Sequence, residues 1–200
     1  MSFVTNKEEF DLISSFHARV VRRKERLPRQ VFLLPAATYR FIEFGRINSP
    51  EAWALLCDLS VSALDDSFSM ICEEPDPVDY YHANFELFAG LSYPISSSYD
   101  EFLDDLNVIP DNSIADALIH RMDVFSCTSP AGKWAGWGER SLDVVVVALA
   151  QSLEGVLERH GTLFVHAADA LRGLIAASFR GGNVPAAFEL EFDRNYGAIS

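Results

Sequence analysis

Residues 126–140 read SCTSPAGKWAGWGER. A thiol, hydroxyls, a lysine, glycines and two tryptophans crowd into one short segment, so it could be a catalytic loop, a phosphate cradle or a turn. A phosphate-binding P-loop needs GxxxxGK[ST], because its backbone N–H groups surround phosphate while the hydroxyl meets magnesium. Gly132-Lys133 lacks the upstream glycine and is followed by Trp134. A nucleophile elbow needs GxSxG, which is absent. Turn chemistry fits better. Ser129-Pro130-Ala131-Gly132 has serine first, proline second and glycine fourth, as in a type I turn. VFSCT and KWAGW on either side suit strands. In a strand Trp134, Gly136 and Gly138 point one way and Ala135, Trp137 and Glu139 the other. The segment therefore predicts a β-hairpin over 124–138, whose glycines let another segment or a partner approach the backbone.

Outward from the hairpin, most of the chain reads as helix. Asn6 with Glu9 forms a capping-box pattern, followed by Phe10, Ile13, Phe16, His17 and Val20 at helical spacing, and Pro28 is expected to end that helix. Ser49-Pro50-Glu51 opens a second helix. SSYDEFLDDLN at 97–107 predicts an amphipathic helix with Tyr99, Phe102, Leu103 and Leu106 on one face and Asp100, Glu101, Asp104 and Asp105 away from it. Further helices are expected over 112–122, 165–179 and from Pro185 to about Tyr196. FSMICEE at 68–74 alternates like a strand, QVFLL at 30–34 is extended, 36–46 is ambiguous, and VVVVALA at 144–150 is the length of one strand or two helical turns. The expected fold class is α+β: a mainly helical single globular domain, residues 1–200, with a small antiparallel β-sheet built on the 124–138 hairpin.

Composition narrows the class. The 200 residues are 49% hydrophobic and 22% charged, which excludes a disordered chain, and 15 phenylalanines predict an aromatic core. No apolar run approaches the roughly 20 residues that cross a bilayer. The N-terminal MSFVTNKEEFDLI carries acids where a secretory leader needs bases and then an apolar stretch. The expectation is a soluble, cytoplasmic protein without membrane contact. Cys57, Cys72 and Cys127 are odd in number and far apart, so neither a disulfide framework nor a CxxC metal site is expected.

Charge is unevenly placed. Of the formal −13, residues 65–123 carry all the excess, with 14 acids against the single base Arg121. Such a field attracts a basic partner and repels nucleic acid, so direct nucleic-acid binding is not expected. The opposite patch, RVVRRKERLPR at 19–29, reads as the basic end of the first helix, complementing its dipole.

Catalytic constellations are weak. His160 and His166 are six apart, without the i, i+4 spacing that places two ligands on one helical face, and no HExxH occurs. Cys127 with a remote His and Asp is a thiol triad only if the fold assembles it. Glu139-Arg140 reads as a local ion pair. The pairs Asp65-Asp66, Glu73-Glu74 and Asp104-Asp105 lack the order and central glycine of an EF-hand. No catalytic residue, metal site or cofactor is assigned.

In general character, and in GKWAGWGERSLDVVVVALA (132–150) and VPAAFELEFDRNYG (184–197), the chain resembles the small acidic immunity proteins of bacterial toxin–immunity pairs. The resemblance implies a non-enzymatic binder that blocks a toxin at its active site or an adjacent exosite, many such toxins being basic nucleases. By it, Asp65, Asp66, Glu73, Glu74, Asp76, Asp79, Asp100, Glu101, Asp104 and Asp105 form the contact surface for a basic protein, with exposed Tyr or Trp as anchors. Two other classes stay open: a small hydrolase or transferase with a site assembled from distant residues, and a structural subunit of a larger assembly.

Overall fold

The turn chemistry folds the chain back on itself. Val124–Thr128 and Trp134–Glu139 pair antiparallel, and the Gly132 N–H donates to the Ser129 carbonyl at 2.9 Å. Gly132 has φ of +62°, and a Cβ there would come within 2.9 Å of the Val20 side chain, so both conformation and space call for glycine. Across the hairpin Phe125 lies opposite Gly138 and Cys127 opposite Gly136. A Cβ on either glycine would overlap the Phe125 ring or the Cys127 sulfur. The close approach these glycines permit is therefore made by the chain's own neighbouring strand.

In the computed structural model, which describes residues 3–35 and 38–197, this hairpin is the middle of a much larger sheet. Six strands, β1 (Thr38–Glu43), β2 (Ser67–Glu74), β3 (Gly90–Pro94), β4 (Val124–Thr128), β5 (Trp134–Glu139) and β6 (Val144–Leu149), lie in the order β1-β6-β5-β4-β2-β3, each antiparallel to its neighbours. The class is α+β, but the expected small sheet confined to a hairpin near 124–138 is corrected. The cause is burial on both faces. All six residues of Val144–Leu149 are buried, so the strand reads as a continuous apolar run rather than an alternation. β1 falls in the ambiguous stretch 36–46, of which Ala36 and Ala37 lie outside the described residues.

Helices cover both faces. The four longest are α1 (Lys7–Val20), α2 (Pro50–Ala63), α3 (Tyr99–Leu106) and α4 (Ala186–Tyr196). Their starts follow the capping residues. Asn6 accepts from the Glu9 N–H at 2.8 Å, Ser49 from the Ala52 N–H at 3.2 Å, and Ser98 forms a capping box with Glu101. On one face Trp53, Leu55, Leu56 and Leu59 of α2 and Phe102 and Leu106 of α3 pack on Phe68, Met70, Tyr93, Phe125, Trp134, Val145 and Val147. On the other, Ile175 and Phe192 and Tyr196 of α4 pack on Phe41, Ala135, Trp137, Val144 and Val146. A smaller cluster of Val4, Phe10, Ile13, Ile71 and Phe88 seats α1 near β3. The outer edges of the sheet are partly covered. Phe3 bridges to Leu91, and Val165 bridges to Phe41.

Two helical expectations are corrected. α1 stops at Val20, not at Pro28: Val21 is extended, and Arg22 and Leu33 N–H groups donate to Val31 and Val20 carbonyls. The arginines after Val20 thus line a loop rather than a helix end. Residues 112–122 form only short turns, Ile114–Asp116 and Leu118–Arg121.

Candidate functional site

The ten acids proposed as a contact surface divide into three groups. Glu73 and Asp105 are buried and present no carboxylate to a partner. Glu73 takes an Arg23 hydrogen bond at 2.5 Å and one from Ser126 at 2.5 Å. Asp105 shares the face of α3 with Phe102 and Leu106, and its charge adds to burial in raising the pKa of Tyr93. Four more serve the fold. Asp65 accepts from the Ala131 N–H, Asp76 from the Val78 and Asp79 N–H groups, Glu101 caps α3, and Glu74 pairs with Arg26 at 3.0 Å. Asp66, Asp79, Asp100 and Asp104 are exposed. No tryptophan serves as a surface anchor: Trp53, Trp134 and Trp137 are buried. The large apolar residues that the acidic stretch and its flank do expose are Leu64, Val78, Ile109 and Ile114.

The sheet also assembles a serine, a histidine and a glutamate that no spacing in the sequence announces. His17 from α1 is fully buried over β2 and β4. Its Nδ1 lies 2.6 Å from Ser126 Oγ and its Nε2 3.0 Å from Ser69 Oγ. Ser126 gives its single hydroxyl proton to Glu73. Toward His17 it can then only accept, so Nδ1 carries the ring proton and Nε2 accepts from Ser69. The chain of donors runs Ser69 to His17 to Ser126 to Glu73, and Arg23 closes it by donating to Glu73 and to Ser14. This order is wrong for a hydrolytic triad, in which the base must take the serine proton and the acid must orient the base. Ser126 is fully buried as well. Burial, helped by the Arg23 charge, depresses the His17 pKa to about 3, so the ring is neutral. Burial pushes the Glu73 carboxyl up, and the Arg23 guanidinium at hydrogen-bond distance pulls it part of the way back.

The thiols are equally inert. Burial pushes Cys57 up to about 11 and Cys127 up to about 12, and raises Cys72 as well. Among the described residues no group of three or more His, Cys, Asp or Glu could hold a metal ion, and no helix is long and apolar enough to cross a membrane.

A cleft of about 590 Å³ opens where the loop after α1 crosses the end of the sheet. Glu139, the last residue of β5, lines it while only 4% exposed. Its Oε1 accepts from the Leu27 N–H and from Trp137 Nε1, both at 2.8 Å. The expected Glu139-Arg140 pair does not form in this way: Arg140 instead approaches Asp123, at 3.6 Å, and stacks on Phe44. Arg26, over Trp137, pairs with Glu74. Burial raises the Glu139 pKa, Arg26 pulls it back and Glu74 adds to the rise. The residues lining the cleft come from four separate segments, and of this arrangement the sequence showed only that Glu139 shares a strand face with Trp137.

No protein-family profile, curated protein or solved structure matches the chain. Function must be argued from the chain's own chemistry.

Proposed function

We propose that this chain is a stoichiometric binding protein for a basic protein partner, and that it neutralises that partner as an immunity protein neutralises a toxin. The observation that carries this is the one-sided charge of residues 65–123, where 14 acids meet a single base. That base, Arg121, stacks on Tyr80 and lies 3.8 Å from Asp116, so it offers little opposing field. Asp66, Asp79, Asp100 and Asp104 stay exposed after the fold has buried or bonded the other six acids of the expected contact surface. Ile109 and Ile114, at 48% and 65% exposure, supply apolar contact area in the same stretch. The buried, protonated thiols and the misordered Ser–His–Glu chain weigh against a hydrolase.

The test is affinity capture from the source cell, then association kinetics at two salt concentrations for the wild type and for a variant carrying Asp66→Lys, Asp79→Lys, Asp100→Lys and Asp104→Lys. The Debye length falls from about 10 Å at 0.1 M to about 3 Å at 1 M. The wild type should associate about 10- to 100-fold faster than the variant at low salt and lose most of that advantage at high salt. Equal rates in all four conditions would reduce the acids to a solubilising coat.

A further inference from the structure

We propose that Ser69, His17, Ser126 and Glu73 form a pH-sensitive switch: a proton taken up by Glu73 reverses the direction of the hydrogen-bond chain, moves the His17 ring proton from Nδ1 to Nε2 without charging the ring, and loosens the loop after α1 by leaving Arg23 without a charged partner.

The two oxygens of Glu73 have different neighbours, and this decides where a proton can sit. Oε2 faces Arg23 Nε at 2.5 Å. A guanidinium only donates, so a proton on Oε2 would meet another donor. Oε1 faces Ser126 Oγ at 2.5 Å, and a hydroxyl can turn from donor to acceptor. A neutral Glu73 therefore carries its proton on Oε1, gives it to Ser126 and still accepts from Arg23 on Oε2. Ser126 must then point its own hydrogen elsewhere. Its other neighbour in the chain is His17 Nδ1, at 2.6 Å. That nitrogen accepts only once it has lost its proton, so a neutral ring must carry the proton on Nε2, toward Ser69 at 3.0 Å. An imidazolium would give Ser126 two donors and leave its hydroxyl hydrogen without an acceptor in the chain, which is costly because Ser126 is fully buried.

The protons balance. At high pH three hydrogens serve the chain, on Ser69, on His17 Nδ1 and on Ser126. After one proton is taken from solvent there are four, on Ser69, His17 Nε2, Ser126 and Glu73 Oε1. Each bond survives with donor and acceptor exchanged, so the packing of α1 on β2 and β4 need not change. What changes is charge. Arg23 is the charged group that acts on His17, and Arg23 and Arg26 are those that act on Glu73. Arg26 has its own partner in Glu74, at 3.0 Å. Ser14 of α1, Ser69 of β2 and Ser126 of β4 add no charge, and Cys72 beside Glu73 is a neutral thiol. Arg23 therefore bears the loss. It anchors the loop between α1 and β1, whose backbone is tied by the Arg22 N–H to the Val31 carbonyl and the Leu33 N–H to the Val20 carbonyl. A pair of ions becomes one ion against a neutral acceptor, and the loop is held less firmly. Burial places the proton uptake above the ordinary carboxylate range, with Arg23 holding it back.

Protein labelled with nitrogen-15 in histidine and carbon-13 at the glutamate carboxyl is followed by NMR from pH 8 to pH 4. At pH 8 the His17 Nδ1 should be protonated and Nε2 bare. The two should exchange roles as the Glu73 carboxyl titrates, with the ring never doubly protonated along the way. Glu73→Gln makes the same step without acid, because its amide can give to Ser126 and accept from Arg23. It should hold the His17 proton on Nε2 already at pH 8. At pH 7 the Arg22 and Leu33 amides should exchange with solvent about 10-fold faster in Glu73→Gln than in the wild type, while Val146 in the middle of the sheet changes little. If the variant does not fold, the wild-type pH series decides alone. A His17 ring that keeps its proton on Nδ1 throughout, that becomes doubly protonated as Glu73 titrates, or that keeps Nδ1–H in folded Glu73→Gln would overturn the switch. Equal exchange at Arg22 and Leu33 in both proteins, or equal acceleration at Val146, would overturn the loosening of the loop.

Discussion

His17 should make this protein acid-sensitive by a calculable amount. In the unfolded chain its imidazole takes up a proton near 6.5, while in the folded chain it resists protonation until about pH 3. A group whose folded pKa is depressed contributes stability that is fully present above its unfolded pKa and is lost as pH falls toward the folded one. At about 1.36 kcal/mol per pH unit, the interval from 6.5 to about 3 corresponds to roughly 5 kcal/mol, an upper figure for this group. Glu73 and Glu139, whose pKa values burial raises, act with the opposite sign, since protonation relieves them as pH falls. The measurement is therefore a difference. Urea unfolding free energies of the wild type and of His17→Gln are taken from pH 7 to pH 4. Their difference should change by about 1.4 kcal/mol per pH unit between pH 6 and pH 4, whatever the variant costs at pH 7. If the variant does not fold, the ring nitrogens of the wild type give the same answer: one of the five histidines should stay neutral at pH 4. Parallel stability curves, or five histidines titrating near 6.5, would refute the reasoning.

Two further outcomes follow from the packing. Gly138→Ala pushes a methyl into the Phe125 ring and should cost about 1–3 kcal/mol by chemical denaturation, with part of the loss recovered by adding Phe125→Leu. Alkylation at pH 7.5 should reach the half-buried Cys57 first, at a rate about 100-fold below that of a free thiol, since its pKa near 11 leaves little thiolate. Cys72 and Cys127 should react only at the rate of unfolding, so rapid labelling of Cys127 in the folded protein would contradict the structure.

What could be read in the sequence was local chemistry. The Ser129–Gly132 turn and the Asn6 and Ser49 caps depend on residues within a few positions of one another, and each stands where its spacing puts it. The extent of the sheet was not readable in the same way. β6 is apolar on both sides because helices cover both, and β3 hides in an aromatic-rich stretch as the short segment Gly90–Pro94. Asp105, expected on the outer face of its helix, is instead buried with Phe102 and Leu106, which lie three residues before it and one after it and so share one side of α3. Glu73 was not readable, because its partner Arg23 lies fifty residues upstream. The cleft was least legible of all. Leu27, Glu74, Asp123, Glu139 and Arg140 have no common spacing and meet only because β2, β4 and β5 end together beneath the loop after α1.

The fit between β4 and β5 has a consequence for how this protein can change over generations. Phe125 and Cys127 occupy the space that side chains at 138 and 136 would need, so the two strands share one fixed allowance of volume on that face. A drift from glycine to a larger residue on β5 is tolerable only after β4 has become smaller. Descendants of this chain should therefore show paired exchanges, 125 with 138 and 127 with 136, large on one strand wherever the other is small. Such linked replacements would mark true relatives even after overall similarity has faded.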